Sequence, residues 1–395
     1  MSAPKSLRLH IGIFGRRNVG KSSLLNGITH QTVSIVSSQA GSTTDPVEKP
    51  MELLPLGPVL FIDTAGLDDS GTLGELRVER TRKIYDRCDF ALVVSDGAWN
   101  QDEETIVSEL KTRDIPWLAV LTKNDLNDHS ALIERLNAEG SHVVSLNTND
   151  ANGIETLCQA IIKHAPESFL ESTKILGDIL PEKAHVVLVV PIDKEAPKGR
   201  LIMPQVQTIR DILDTHCVCT VCQEPQLADV LSAFKKAPDL VVTDSQAFKT
   251  VAQIVPENIP LTGFSVLFAR FKGDLASFVQ GANAIEALKP KDRVLIAESC
   301  THHPAKDDIG REKIPRWLKA KVGELTFDVV SGQEFPEDLT PYALIIHCGG
   351  CMWNRRQMLS RQQRAASQGV PMTNYGMAIA ALNGILPRAL KPFSL

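Results

Sequence analysis

The 395-residue sequence lacks a long apolar run and an excess of basic charge. Its apolar segments, such as Ala184 to Val190, fall far short of the roughly 20 residues that span a bilayer. No basic and apolar leader precedes the first strand-like segment, so we expect a cytoplasmic protein without a membrane partner. A net charge of -5 argues against a protein that wraps nucleic acid, and we expect no nucleic-acid partner.

Short apolar segments alternate with amphipathic stretches in the first part of the chain. This alternation predicts an α/β fold, in which helices cover both faces of a parallel sheet. The strands predicted here are Leu9–Phe14, Val59–Ile62, Phe90–Val94, Trp117–Leu121 and His142–Ser145. A break near Leu170–Pro181 ends this part, and two smaller α/β domains follow. We therefore expect three domains, at residues 1–172, 178–262 and 263–395.

The two smaller domains show the same kind of alternation. The strands predicted in them are His185–Pro191, Leu240–Thr243, Arg293–Ala297, Phe327–Val330 and Tyr342–Ile346. The middle domain is too small to bury a generous core alone. Small units of this sort often complete themselves by pairing with a second copy, so we expect a homodimer.

A phosphate-binding loop follows the first predicted strand. Gly15 to Ser22 match G-x-x-x-x-G-K-[S/T] between a strand and a helix, which is the context that this motif needs. Its glycines let backbone N–H groups wrap phosphates, Lys21 can reach the β- and γ-phosphates, and the Ser22 hydroxyl can ligate Mg²⁺. The loop residues expected to bind nucleotide are Gly15, Asn18, Val19, Gly20, Lys21, Ser22 and Ser23.

Later motifs, two of them at the ends of predicted strands, complete a nucleotide site. Asp63-Thr-Ala-Gly66 supplies a carboxylate for the Mg²⁺ shell, and the carboxylate of Asp125 can accept both N–H donors of guanine's Watson–Crick edge. The base-pocket residues expected from these motifs are Thr122, Lys123, Asp125, Ser145 and Leu146. Together with the phosphate-binding loop, they predict a Ras-like domain that binds and hydrolyses GTP.

This set resembles the translation-factor-related GTPases of the Era, EngA and TrmE type. Their switch loop reads G-T-T-R-D, which corresponds here to Gly41-Ser-Thr-Thr-Asp45. The resemblance implies that Thr43 senses Mg²⁺ and the γ-phosphate. It also implies that Asn18 matches the asparagine that helps to bind K⁺ in the potassium-dependent members. The residues expected to carry hydrolysis are Lys21, Ser22, Thr43, Asp63 and Gly66.

Two positions depart from the usual GTPase pattern. Leu67 stands where Ras has the glutamine that orients water, so we expect slow hydrolysis. The resemblance through Asn18 implies that K⁺ stimulates it. Thr122 replaces the usual asparagine of N-K-x-D, and we expect it to loosen guanine binding.

Two groups of cysteine and histidine follow predicted strands near the carboxyl terminus. They are Cys300-Thr-His302-His303 and His347-Cys348-Gly-Gly-Cys351. The carboxyl ends of strands in an open α/β sheet are where ligands bind, so we expect the two groups to converge. Three thiolates with nearby histidines could hold Zn²⁺ or an iron–sulfur cluster. Buried cysteines with surface histidines are the structural alternative, but two such groups favour metal.

A Ras-like GTPase joined to C-x-H and H-C-x-x-C segments is similar to HydF, the family of GTPases that mature [FeFe]-hydrogenases. The resemblance covers the whole chain and implies a middle dimerisation domain. It implies a [4Fe–4S] cluster on Cys300, Cys348 and Cys351. His302 and His347 match the family's histidines, and His303 competes for the fourth-ligand role. It further implies a scaffold that receives a transient diiron precursor from two radical-SAM maturases and delivers it to the apo-[FeFe]-hydrogenase.

Other readings of the sequence are possible. An Era- or TrmE-like GTPase in ribosome assembly or tRNA modification fits the nucleotide motifs. It does not fit the acidic net charge, nor the tail from Lys391, which lacks the C-x-G-K ending of TrmE. A zinc-dependent regulatory GTPase is a further alternative.

Cys217, Cys219 and Cys222 could hold metal, but alternation around them predicts a strand edge with structural cysteines.

Overall fold

A computed structural model describes residues 4–29, 46–64, 81–166, 169, 174–192, 201–299 and 308–393. The chain divides into two compact units, Met1–Ser172 and Thr173–Leu395. Both units alternate strands and helices, which confirms the predicted α/β class. Within the described ranges, the helices are all too short or too polar to cross a membrane.

The first unit is built on a single six-stranded sheet. Its strands are β1 (Leu9–Phe14), β2 (Val47–Leu53), β3 (Gly57–Asp63), β4 (Phe90–Ser95), β5 (Trp117–Leu121) and β6 (Val143–Ser145). They lie in the order β2-β3-β1-β4-β5-β6, and all neighbours are parallel except the antiparallel pair β2 and β3. The helices include Lys21–Thr29, Gln101–Thr112, Ser130–Ala138 and Ala151–His164.

Burial explains which strands of this sheet the sequence reveals. Every residue of β1 and β4 is buried, and continuous apolar runs of this kind mark central parallel strands. β2 is an edge strand whose residues, except for the buried Leu53, are exposed or half-exposed, and it contains Pro50, which edge strands tolerate. The five strands predicted in this unit are therefore present, and β2 is missed because it has no apolar run.

The second unit contains two four-stranded parallel sheets. The first consists of β7 (His185–Val189), β8 (Val218–Cys222), β9 (Leu240–Thr243) and β10 (Leu261–Gly263), in the order β10-β9-β7-β8. The second consists of β11 (Arg293–Ala297), β12 (Thr326–Val330), β13 (Leu344–His347) and β14 (Met372–Asn374), in the order β12-β11-β13-β14. One hydrophobic cluster contains Val187 and Val241 of the first sheet and Leu295 and Ile345 of the second. The two sheets therefore share a core.

Helices connect and cover the strands of the second unit. They include Met203–Asp214, Leu227–Ala233, Phe248–Ile254, Phe264–Lys272, Leu275–Asn283, Ile314–Val322, Arg355–Ser367, Tyr375–Leu382 and Leu386–Leu390, with a π-helical turn at Ile309–Lys313. The sequence analysis misses the short strands β10 and β14, because three buried residues give too little periodicity to recognise.

β8 forms one edge of the first sheet in this unit, as its alternating pattern predicts. Cys219 packs against one hydrophobic cluster and Cys222 against another, because residues three apart on a strand lie on opposite faces. Cys217 precedes the strand and is buried. The three thiols therefore do not converge on one point, which supports the structural reading of this group.

Candidate functional site

The phosphate-binding loop leaves the carboxyl end of β1 and enters the helix Lys21–Thr29. Three of its residues have positive φ angles, which are 144° at Gly15, 63° at Asn18 and 98° at Gly20. A Cβ at Gly15 would lie 2.2 Å from the carbonyl oxygen of Val94. Only glycine fits this close approach to β4, which explains why the motif needs glycine there.

Lys21, Ser22 and Asp63 meet beside this loop. The buried Lys21 ammonium donates hydrogen bonds to the carbonyl oxygens of Gly15 (2.7 Å) and Arg16 (2.6 Å). The Ser22 hydroxyl donates to Oδ2 of Asp63 at 2.9 Å, so the two predicted Mg²⁺-shell residues are neighbours.

The second carboxylate oxygen of Asp63 has a special environment. Oδ1 is buried and has no hydrogen-bond partner among the residues that the structure describes. Burial raises the pKa of this carboxyl, while the Lys21 ammonium and the Ser22 hydrogen bond oppose that rise. Orphaned buried oxygens of this kind need an explanation. A carboxylate oxygen beside a serine hydroxyl is the hard donor set that Mg²⁺ prefers, so these residues fit that ion.

The base-recognition loop is tied to the phosphate-binding loop. The buried Thr122 hydroxyl donates to the carbonyl oxygen of Val19 at 2.6 Å and lies 3.3 Å from that of Ser95. Lys123 donates from Nζ to the carbonyl oxygen of Asn18 at 3.0 Å and to Asp96 at 3.1 Å. Threonine therefore makes a bond between the two loops, and its expected effect on guanine binding stays a prediction.

The remaining base-pocket residues lie at the ends of β5 and β6. Asp125 is exposed, which leaves its carboxylate accessible to a base. Ser145 hydrogen-bonds through its hydroxyl to Nδ1 of the buried His129 at 3.1 Å, and the Leu146 backbone N–H donates to Leu121. No motif in the sequence points to His129. Ser23 is exposed at the start of the first helix.

A partly buried ion pair also holds the phosphate-binding loop. Arg16 donates from Nε to Glu103 at 2.7 Å and from Nη2 to the carbonyl oxygen of Ala98 at 2.5 Å. Glu103 is fully buried and also caps the helix Gln101–Thr112. Arg16 and Glu103 are 87 positions apart, so motif reading alone could not connect them.

The cysteine motif of the second unit lies at the carboxyl edge of the sheet β12-β11-β13-β14. Cys348 directly follows β13, and Ser299 follows β11. The Ser299 backbone N–H donates to Sγ of Cys348 at 3.0 Å, and that thiol lies 3.1 Å from the Ser299 hydroxyl. The residue before Cys300 therefore contacts Cys348, so the chain leading to Cys300 converges on the cysteine motif. Cys351, three residues further on, is exposed.

Several polar residues that the sequence did not single out surround this edge. Glu298 is buried and accepts hydrogen bonds from Arg311 (2.7 Å from Nη2) and from the Ser331 hydroxyl (2.9 Å). The hydroxyl of Tyr375, which follows β14, is buried and has no hydrogen-bond partner within the described ranges. A Cβ at Gly310 would lie 2.0 Å from that hydroxyl, so glycine leaves space for it.

His347 is the last residue of β13 and is fully buried. Its Nδ1 lies 2.6 Å from the carbonyl oxygen of Cys348, and its Nε2 lies 2.9 Å from Nη1 of Arg361. Burial lowers the pKa of His347 to about 3, with a further contribution from the Arg361 charge. The buried ammonium of Lys272 donates to the carbonyl oxygen of Trp353 in the same loop.

Some predicted site residues lie outside the described residues. They are Thr43, Gly66 and Leu67 of the nucleotide site, and Cys300, His302 and His303 of the cysteine site. Within the described part of the chain, there is no group of three or more His, Cys, Asp or Glu side chains arranged to hold a metal ion.

Three family models match successive parts of the chain, one in the first unit and two in the second. Residues 10–123 match the 50S ribosome-binding GTPase model. Residues 175–273 match the hydrogen maturase F dimerization domain, and residues 276–392 match the hydrogen maturase F tetramerization domain. The two hydrogen maturase F models together cover more than half of the chain. The GTPase match confirms the Ras-like P-loop fold of the first unit.

Similar proteins match part of the chain. The tRNA modification GTPase MnmE of Prochlorococcus marinus (strain NATL1A) is 33% identical over 165 residues, which are 40% of this chain and 35% of the relative. MnmE of Desulfotalea psychrophila is 32% identical over 154 residues, 38% of this chain and 33% of the relative. The chain thus spans about a third of the length of these relatives. Among solved structures, Aquifex aeolicus Era bound to GDP.AlF4- is 20% identical, with 54% of this chain and 93% of that chain covered and a TM-score of 0.36.

Proposed function

Because the chain belongs to the hydrogen maturase F family, we propose that it is a GTP-hydrolysing scaffold for [FeFe]-hydrogenase maturation. It binds a [4Fe–4S] cluster together with a diiron precursor and delivers the precursor to the apo-[FeFe]-hydrogenase. The contact between Ser299 and Cys348 carries this proposal, because it brings the residue before Cys300 to the Cys348 motif at one sheet edge. Two radical-SAM maturases are the proposed donors of the precursor.

In the first unit, the proposed chemistry is hydrolysis of GTP with Mg²⁺. Lys21 holds the β- and γ-phosphates, Ser22 and Asp63 hold the Mg²⁺ shell, and Asp125 selects guanine. Bound Mg²⁺ neutralises charge that develops on the transferred phosphoryl group. Thr43 and Gly66 are proposed to sense the γ-phosphate and to change the association with partners through the GTP state.

Potassium is the proposed stimulant of this slow reaction. Asn18 has an exposed side chain in the phosphate-binding loop, and its carbonyl oxygen already accepts from Lys123. We expect GTP turnover to be higher in KCl than in NaCl at equal ionic strength, and the Asn18→Ala variant to lose this difference. Equal turnover of the unaltered protein in the two salts would exclude the potassium site.

In the second unit, Cys300, Cys348 and Cys351 are the proposed cluster ligands. Soft thiolates suit iron–sulfur clusters, and Gly350 supplies the positive φ angle of 61° that the turn between Cys348 and Cys351 requires. A cluster held by three thiolates leaves one iron with a position for an exchangeable ligand. His302, His303 and His347 are the proposed candidates for that position.

Anaerobic reconstitution with iron and sulfide tests the cluster proposal. We expect a brown protein with visible absorption and, after reduction, an EPR signal of a [4Fe–4S] centre. A colourless protein that retains one Zn²⁺ per chain would instead establish the zinc-dependent regulatory GTPase.

A homodimer through the first sheet of the second unit is also proposed. The edge strand β8 exposes Val218 (57%) and Val221 (45%), and residues 175–273 match a dimerization domain. Edge strands present unpaired N–H and C=O groups to a second chain. We expect Val221→Lys to lower the molar mass measured by light scattering to that of the monomer. The matched change Val47→Lys, on the edge strand β2 of the first unit, should leave the mass unchanged.

A further inference from the structure

The hydrogen bonds of His347 determine which of its ring nitrogens carries the proton. A guanidinium group donates hydrogen bonds and cannot accept them. Nε2, which lies 2.9 Å from Nη1 of Arg361, must therefore be the acceptor. In the neutral ring, Nδ1 then carries the hydrogen and donates it to the carbonyl oxygen of Cys348 at 2.6 Å. Both ring nitrogens are thus engaged by protein groups, and the ring is 0% exposed.

Arg361 is itself held firmly in place. Its Nη2 donates to the carbonyl oxygens of Gly332 (2.9 Å) and Glu334 (3.3 Å). Its guanidinium carbon lies 4.1 Å from the ring centroid of Trp353 and 4.4 Å from that of Phe335, which are cation–π contacts. A metal on Nε2 would have to displace a guanidinium group that has four other contacts.

We propose that His347 is a positioning residue for the cysteine motif and not a ligand of the cluster. The pair His347–Arg361 fixes the carbonyl group of Cys348 and thereby the direction in which the loop leaves β13. This inference rests on the proposed cluster function, and it removes His347 from the candidates for the fourth ligand. Residues that orient a metal ligand without binding the metal often change metal retention by about 10–100-fold when they are removed.

The test compares two side chains that each retain half of the histidine. The amide of His347→Asn can still donate to the Cys348 carbonyl oxygen, whereas that of His347→Gln can still accept from Arg361. Neither would supply an imidazole nitrogen to iron. His347→Leu removes both bonds, and Arg361→Met removes the guanidinium group without changing the histidine. His142→Asn, at an exposed histidine of the first unit, is the control.

Two measurements on reconstituted protein distinguish a positioning residue from a ligand. Pulsed EPR of the reduced cluster in ¹⁵N-histidine-labelled protein should show the same nitrogen coupling in the unaltered protein and in His347→Asn. Iron release to a chelator should become about 10-fold faster in Arg361→Met and His347→Leu. It should increase less in His347→Asn and His347→Gln and stay unchanged in His142→Asn.

Loss of a histidine coupling in both His347→Asn and His347→Gln would overturn the inference, and so would unchanged iron release in Arg361→Met and His347→Leu. The cluster-free protein gives an independent measurement, because histidine-selective ¹⁵N NMR should report the neutral Nδ1–H form of His347. If the unaltered protein takes up no cluster but shows this form, the proposed cluster function fails while the hydrogen-bond arrangement stands. The Nε2–H form would refute the arrangement itself.

Discussion

The two candidate sites lie at the same kind of place, the carboxyl edge of a parallel sheet, but they are held differently. At the nucleotide edge, the functional residues bond to one another across motifs. Lys21 bonds to the loop that carries it, and Thr122 bonds to Val19 of that loop. At the cysteine edge, the thiol of Cys348 bonds to Ser299, and residues outside the motif, such as Arg361, hold the loop.

This difference has a physical reason. Phosphates are bound largely by backbone N–H groups, so a phosphate site needs a specific backbone path, and glycines at fixed spacing specify it. A thiolate site needs only a few soft ligands, and the surrounding protein must orient them and adjust the local charge. A short sequence motif is therefore enough to recognise the first site, whereas the residues that orient the ligands of the second site lie on several elements.

The largest effect is expected at the nucleotide edge. Lys21→Ala removes the ammonium that contacts the phosphates and should lower GTP turnover by about 100–1000-fold, as loss of a transition-state donor usually does. Steady-state phosphate release measures it. The exposed Lys163→Ala on the helix Ala151–His164 is the control and should keep full turnover. Turnover within a few-fold of the unaltered protein would show that Lys21 does not contact the reacting phosphates.

A matching change at the cysteine edge tests whether the two sites are separate. Cys348→Ser should lose most of the reconstituted iron, because a neutral hydroxyl is a poor ligand for iron–sulfur centres. GTP turnover of this variant should not change. Cys158→Ser, at a half-buried cysteine of the first unit, should retain the iron. Full iron content in Cys348→Ser would remove Cys348 from the ligand set.

A smaller effect is expected where the base loop meets the phosphate loop. Thr122→Val keeps the side-chain shape but removes the donor to Val19, which leaves a buried carbonyl oxygen with one bond fewer. The usual cost is about 1–3 kcal/mol, so guanine-nucleotide affinity should fall about 10-fold, as fluorescent-nucleotide titration would show. Thr112→Val, on an exposed helical surface, should have no effect. Unchanged affinity in Thr122→Val would mean that this bond does not organise the site.

The sequence predicted the strands with continuous apolar runs and the motifs that follow them, because burial on both faces and backbone shape leave strong local patterns. It missed β2, since an edge strand with Pro50 has no such pattern. It also missed the pair Arg16–Glu103 and the orphaned hydroxyl of Tyr375, because each depends on residues that only the fold brings together. The cysteine motif shows that His347 lies beside Cys348, but it does not show the hydrogen bond between Arg361 and Nε2 of His347.

The smallest effect concerns the folding stability of the first unit, because the nucleotide edge contains a partly buried carboxyl group. The Asp63 carboxyl is half-buried, its Oδ1 has no hydrogen-bond partner among the described residues, and burial raises its pKa in the folded protein. An acid whose pKa is raised by folding lowers stability above that pKa, and the penalty disappears as the pH falls through it. Asp63→Asn keeps an oxygen for the Ser22 hydroxyl and removes the charge. We therefore expect the nucleotide-free first unit to be more stable in Asp63→Asn by about 0.5–2 kcal/mol at pH 7.

Calorimetry of the two proteins from pH 7 downwards measures this difference. The advantage of Asp63→Asn should shrink as the pH falls, because the unaltered carboxyl becomes protonated and loses its penalty. Mg²⁺-dependent nucleotide binding should weaken in the same variant, since a carboxylate is replaced by a neutral amide. A less stable Asp63→Asn at pH 7, or an advantage that grows on acidification, would contradict the assignment. If stability rises while binding falls, the destabilising charge at this edge is retained because the ion needs it.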